Sequence, residues 1–318
     1  MRNVVTGVSA MALVGGSVGV SRALTGAPLF TAQAVRYTVA FLILLALAKA
    51  AHVPVLLPRG REWLWLIGVA VSGLVVFNVA VVRGVARAEP AVIAVAVACV
   101  PVLLGVLGPV LERRRPRARI VLAAVVVTAG SVLVEGVGRT DAAGVGWAVL
   151  ALVCEAGFTL LAVPVLGRHG PWGVSVHSVW IAAVMLFLLG SAAEGPGAAA
   201  RLTAAEWGAI AYLAVLVTAV AFLLWYSTVA ALGAGPVGLL TGAAPVSAAV
   251  TGMLLGGPVP GPLVWLGIVV VVAGLVVGLA TRSSEHGNLP RAGADLETVT
   301  PGRSAGNGPP ARRHTTTG

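Results

Sequence analysis

Ten stretches of this sequence are each long enough to cross a hydrocarbon core, and no other feature constrains the fold so strongly. They approximate to Val4–Val20, Phe30–Ala50, Trp63–Val82, Pro90–Leu111, Arg119–Val134, Val145–Leu166, Gly173–Gly190, Trp207–Ser227, Gly235–Leu255 and Pro262–Thr281. A bilayer-crossing helix needs roughly 17–25 apolar residues. The runs are continuously apolar rather than alternating with period two, so they predict helices and not barrel strands. Composition agrees: 58% hydrophobic residues, 41 glycines and only 10% charged residues leave too little polar surface to face water. Cytosolic enzymes, secreted disulfide scaffolds and disordered regulators are excluded. Cys99 and Cys154 both fall inside apolar runs and read as small buried hydrophobes. Met1-Arg2 before an apolar run resembles a signal peptide, but nine further spans favour an uncleaved first helix.

The net charge of +10 does not point to nucleic acid, because the cations are divided among short connections. They read as topology signals. With a cytoplasmic N-terminus, Arg2, Lys49, Arg59, Arg61, Arg113, Arg114, Arg115, Arg117, Arg119 and Arg168 lie inside, and Arg22, Arg83, Arg87, Arg139 and Arg201 outside. The cluster from Glu112 to Arg119 decides the orientation. An even number of spans then returns the C-terminus to the cytoplasm. From Arg282 the chain turns polar and aperiodic, which predicts a disordered cytoplasmic tail over 282–318.

Sliding the chain against itself by 144 residues aligns Glu62-Trp63 with Glu206-Trp207, Val85-Ala86 with Val229-Ala230, Pro101 with Pro245 and Gly130 with Gly274. The boundaries predicted are a first repeat over 1–141 and a second over 142–281. Five spans per repeat is an odd number, so the second inserts upside down, the architecture of alternating access. Two five-span repeats, Arg36 in the second helix, the prolines of the fourth and ninth, Glu112 and the two glycines together resemble the EamA-type members of the drug/metabolite transporter superfamily. The resemblance implies a ten-helix carrier of small metabolites in a bacterial inner membrane, with a central cavity lined by helices one to four and six to nine. Helices five and ten would be peripheral. Gly256 stands where the resemblance leads one to expect a second acid, so Glu112 is read as a helix-end feature rather than a transport residue.

Glu155 lies well inside the sixth span, where an ionised carboxylate is expensive unless hydrated or paired. It is read either as a proton-coupling or amine-binding acid or as half of a structural ion pair. Arg36 in the second span is within reach of it by depth; binding a substrate carboxylate and snorkelling to headgroups are the other readings. Asn78 suits an interhelical hydrogen bond. His177 reads as an interfacial histidine or a titrating site, and Trp180 three residues on shares its helical face, so the two suggest a gate or aromatic wall. Trp225-Tyr226 reads as an interface anchor, although the resemblance places such a pair beside the cavity. Pro101 and Pro245 are candidate hinges or static kinks. The Gly274/Gly278 spacing offers a homodimer face.

No phosphate-binding loop or HExxH occurs, and neither a cofactor site nor a cluster of metal ligands stands out. The expected function is a secondary transporter, proton-coupled, moving a small organic metabolite, and not an enzyme. The alternatives are an uncoupled facilitator and a membrane-embedded accessory protein or enzyme acting on lipid-linked substrates.

Overall fold

The computed structural model describes residues 1–257 and 259–279. Within them, ten helices are long and apolar enough to cross a membrane: α1 (Arg2–Leu24), α2 (Leu29–Ala50), α3 (Glu62–Val85), α4 (Pro90–Leu111), α5 (Ala118–Glu135), α6 (Ala142–Leu160), α7 (Val163–Ala193), α8 (Ala204–Leu232), α9 (Ala234–Leu254) and α10 (Pro262–Leu279). The described residues contain no strand, only an isolated bridge between Ala88 and Thr140. The predicted tail lies outside the described residues.

Five of these helices start beside a carboxylate that accepts from a backbone N–H in or just ahead of the first turn, which is also the favourable end of the helix dipole. Glu194, at the end of α7, receives Phe30 and Thr31 at the start of α2 at 3.0 and 2.9 Å. Glu62 receives Arg59 N before α3, Asp141 receives Gly144 N of α6, and Glu206 forms a capping box with Thr203 on α8. Glu112 closes the start of α9 through Ala234 N at 3.0 Å. The repeated Glu-Trp at 62 and 206 thus marks two helix starts, and Glu112 is the helix-end feature its position suggests.

Packing follows a pattern in which contacts come in equivalent pairs. The α1–α9 contact has its counterpart in α6–α4, and α1–α8 in α6–α3, while α2–α7 and α5–α10 join equivalent helices. Glycine permits the closest approaches. A Cβ on Gly130 would meet the Val271 backbone nitrogen at 2.7 Å, one on Gly274 the Val127 side chain at 2.8 Å, and one on Gly278 Leu239 at 2.4 Å. Gly274 and Gly278 are therefore buried within the bundle, against α5 and Leu239, and do not form the free dimer face their spacing suggested.

The irregular turns are also paired. α4 breaks at Cys99 just before Pro101, and α9 tightens to a 3₁₀ turn over Leu239–Gly242 just before Pro245. Each proline lacks the N–H that would bond the preceding turn. α3 and α8 each widen into a π-helical stretch, Ala70–Val76 and Leu213–Val220, one repeat length apart.

The boundary between the sixth and seventh spans differs most from expectation. The predicted sixth span runs to Leu166, but α6 ends at Leu160 and α7 begins at Val163. Gly170, at φ 62° and ψ 179°, then breaks α7 before Pro171, so residues 163–169 form a short helix ahead of the spanning segment. Continuous hydropathy hid a turn that has no polar residue to announce it.

Candidate functional site

The central polar groups lie in two layers. The first joins α2, α3 and α8. Arg36 donates from Nε to Thr218 Oγ1 at 2.9 Å and from Nη1 to Gln33 Oε1 at 3.3 Å, and its guanidinium lies 5.2 Å from the Tyr37 ring centroid. Asn78 Nδ2 donates to Tyr37 Oη at 3.1 Å and to Leu74 O at 2.7 Å, the interhelical bond anticipated for it. Thr218 and Leu74 both belong to the π-helical stretches, which often occur at functional sites.

The second layer joins α6 and α8. Trp225 donates from Nε1 to Thr159 Oγ1 at 3.0 Å, and Tyr226 from Oη to Phe158 O at 3.1 Å. Trp225 is 3% exposed and Tyr226 fully buried, so neither is the interfacial anchor their place near a span end suggested. A residue close to a helix end still lies inside when a neighbouring helix covers it. Phe158 packs on Phe222 and Tyr226 with centroids 4.9 and 5.1 Å apart.

Glu155 belongs to this layer. On α6 it is flanked by buried Ala151, Phe158 and Thr159, while the exposed Val149 and Val153 lie on the other side of the helix. It therefore faces the bundle interior, half-buried, and makes no hydrogen bond or ion pair among the described residues. The anticipated approach to Arg36 does not occur. With α6 starting at Ala142, Glu155 is about 9 Å deeper than Arg36 when both are counted from the same membrane face, and Arg36 is engaged by Thr218 and Gln33.

The remaining site residues form a third group at the end of the bundle where α2 stops and α3 starts. His177, beyond the Gly170 break, is 4% exposed, so its ring is enclosed by protein. Its Nε2 is 2.9 Å from Leu56 O, in the α2–α3 connection, and its Nδ1 accepts from Trp180 Nε1 at 3.1 Å. An acceptor at Nδ1 places the ring proton on Nε2, so His177 is held neutral and donates to Leu56. Trp180 meets Trp63 edge-on at 6.1 Å, and His169 meets His177 at 5.6 Å. Glu62 pairs with Arg168 and with His169 Nε2, the latter at 3.1 Å.

Gln33, Tyr37, Thr218 and Leu56 were not anticipated. Self-comparison carried further would have flagged one of them, because the 144-residue register sets Gln33 on His177 and Arg36 on Trp180. The same three-residue hydrogen bond recurs in both places, 36 to 33 and 180 to 177. The π-helical stretches carry no sequence signal.

Among the described residues no group of three His, Cys, Asp or Glu side chains is arranged to hold a metal ion. A ten-helix membrane bundle with paired irregular helices around buried polar layers is an architecture suited to a membrane transporter of small molecules. The sequence assigns it further: the EamA-like transporter family matches residues 3–135 and again 142–279, and the chain belongs to that family, within the drug/metabolite transporter superfamily. A relative in Bacillus subtilis (strain 168), named an uncharacterized transporter, YetK, is 26% identical over 279 residues, which cover 85% of this chain and 84% of the relative. A solved structure described only as "Crystal structure of protein" shares the fold with a TM-score of 0.74 at 20% identity, covering 88% of this chain and 98% of its own.

Proposed function

We propose that this protein is a proton-coupled secondary carrier of a small organic metabolite, with Glu155 as the coupling acid. The observation that carries the reading is the solitude of that carboxylate. Of the eight acids among the described residues, five cap helices, Glu89 pairs with Arg139 at 2.9 Å, and Glu135 sits at the end of α5. Glu155 alone lies inside the bundle without a protein partner. A site that exchanges a proton or an amine between two faces needs such a group, because a strong internal partner would hold it ionised throughout.

Arg36 supplies the opposite charge in the other layer. Thr218 and Gln33 hold two of its nitrogens, and Nη2 has no protein acceptor among the described residues, which leaves it for an anionic group of the substrate. Asn78 and Tyr37 support that layer, and Trp225 and Tyr226 wall the other. The Trp180–His177 bond, with Leu56 above it, forms a gate on the side where α2 ends. Residues 1–141 and 142–281 act as two inverted repeats that exchange conformations, bending at Pro101 and Pro245. In this reading the protein sits in the inner membrane with both termini in the cytoplasm.

The test is uptake and counterflow in proteoliposomes against a pooled metabolite library, with and without an imposed pH gradient, comparing the native chain with Glu155→Gln. Loss of gradient-driven accumulation with retained exchange supports coupling at Glu155. Equal behaviour of the two proteins removes Glu155 from the mechanism and leaves facilitation.

A further inference from the structure

The connection between α4 and α5 concentrates positive charge in a form that the transport reading does not use. Arg113, Arg114, Arg115 and Arg119 are all exposed. The backbone directs them outward: α4 ends with Arg113 N on Val110 O and Arg114 N on Pro109 O, and Arg113 itself takes φ 55°, so consecutive side chains splay from a tight left-handed turn. The one acid of the loop does not neutralise them. Glu112 is turned inward, its carboxylate held by Ala234 N at the start of α9. The first turn of α5 carries no acid either.

Directly beneath this charge lies bare hydrocarbon. Leu107, Val110 and Leu111 on the last turns of α4, and Leu122 and Val125 on the first turns of α5, are all exposed large apolar side chains. The cations therefore stand at the rim of a surface that faces acyl chains. A ligand that fills both parts must join an anionic head to an apolar tail.

We infer that the α4–α5 turn is a binding site for an anionic phospholipid, whose phosphate sits among Arg113, Arg114, Arg115 and Arg119 while its acyl chains lie along α4 and α5. Arginine suits the head because its fork meets two phosphate oxygens at once. The apolar wall selects a lipid over free phosphate. Other cations on the same face, Arg59 and Arg61, are exposed but stand beside Glu62, which is occupied with Arg168 and His169.

The experiment is native mass spectrometry of the full chain in detergent, titrated with phosphatidylglycerol or phosphatidylcholine, beside Arg113→Gln/Arg114→Gln/Arg115→Gln and a control, Arg59→Gln/Arg61→Gln. Native protein should retain phosphatidylglycerol in preference to phosphatidylcholine. The triple variant should lose about tenfold in retained anionic lipid, and the control should keep it, since each surface arginine adds attraction to an anionic headgroup. Excess inorganic phosphate should not displace the lipid. Equal retention by the triple variant, equal loss in the control, or displacement by phosphate each overturns the proposal. Should the triple variant not fold, the native chain decides alone: retained phosphatidylglycerol should fall as salt is raised, and retention indifferent to both salt and headgroup charge overturns it.

Discussion

The middles of α2 and α7 are one position in two repeats, built with different chemistry. In each, a residue reaches back three places to bond its neighbour: Arg36 to Gln33 at 3.3 Å in α2, Trp180 to His177 at 3.1 Å in α7. The first pair places a permanent cation beside a neutral amide. The second places an aromatic donor on a ring whose acceptor disappears when it is protonated. A shared frame thus holds a fixed charge in one half and a titratable latch in the other, and the two helices pack directly on each other. The geometry is common to the two helices, and the chemistry is not.

The largest effect should come from removing the charge. Arg36→Gln keeps a side chain able to bond Gln33 or Thr218 but withdraws what is, among the described residues, the only permanent cation of the central layers. Transport in proteoliposomes should fall by about a hundredfold, the scale of losing an interior charge-assisted contact of about 3 kcal/mol. A fall of less than twofold would make the two helix centres equivalent scaffolds.

Trp180→Phe tests the other half. It retains a ring against Trp63 but removes the N–H that reaches His177. One neutral hydrogen bond is worth about 1 kcal/mol, so rates should change by about fivefold. The change should reflect gating: cysteine labelling at Leu56→Cys, in a background lacking Cys99 and Cys154, should become faster. His177→Gln should give a comparable rate but should abolish the acid-side dependence of that labelling. In the native protein, protonation puts hydrogen on Nδ1 and the Trp180 bond is lost at low pH, while Nε2–H still donates to Leu56 O, now from a cation, so the Leu56 segment should be held more tightly and label more slowly as pH falls. His169 packs on His177 and pairs with Glu62, which also pairs with Arg168, so Glu62→Gln is the control that separates the effect of this ion-pair group from that of His177.

Much of this was legible before any coordinates. Hydropathy located all ten helices, because a 20-residue apolar run has few alternatives in a bilayer. Pro101, Pro245 and the Glu-Trp pairs pointed to a repeat, and the paired helix contacts and π-helical stretches are consistent with one. What sequence could not resolve was rotation and depth. The approach of Arg36 to Glu155 assumed an α6 that started at Val145; its start at Ala142 moved Glu155 deeper, and Thr218 on α8 took the guanidinium. Trp225 and Tyr226 looked interfacial because their place along α8 is visible in sequence, while the cover supplied by α6 is not. The π-helical stretches depend on i→i+5 backbone bonding, to which side-chain identity contributes little.

The smallest effect should come from the change that makes the two centres alike. Gln33→His gives α2 the acceptor of α7 without touching Arg36. Above neutral pH the imidazole accepts from Arg36 Nη1 as the amide does, and because Nε still bonds Thr218 the transport rate should shift by no more than about twofold. Below it, the protonated ring loses its acceptor and faces a guanidinium of the same sign, so the variant should lose activity toward acid pH where the native α2 pair, having nothing that titrates, holds steady. A pH profile of uptake, taken as the ratio of Gln33→His to the native chain so that the native protein's own titrations cancel, measures this directly. A flat ratio would mean that the three-residue bond in α2 positions nothing. In that case the likeness between the two helix centres is inherited geometry, and the work of holding Arg36 falls to Thr218 in the π-helical stretch of α8.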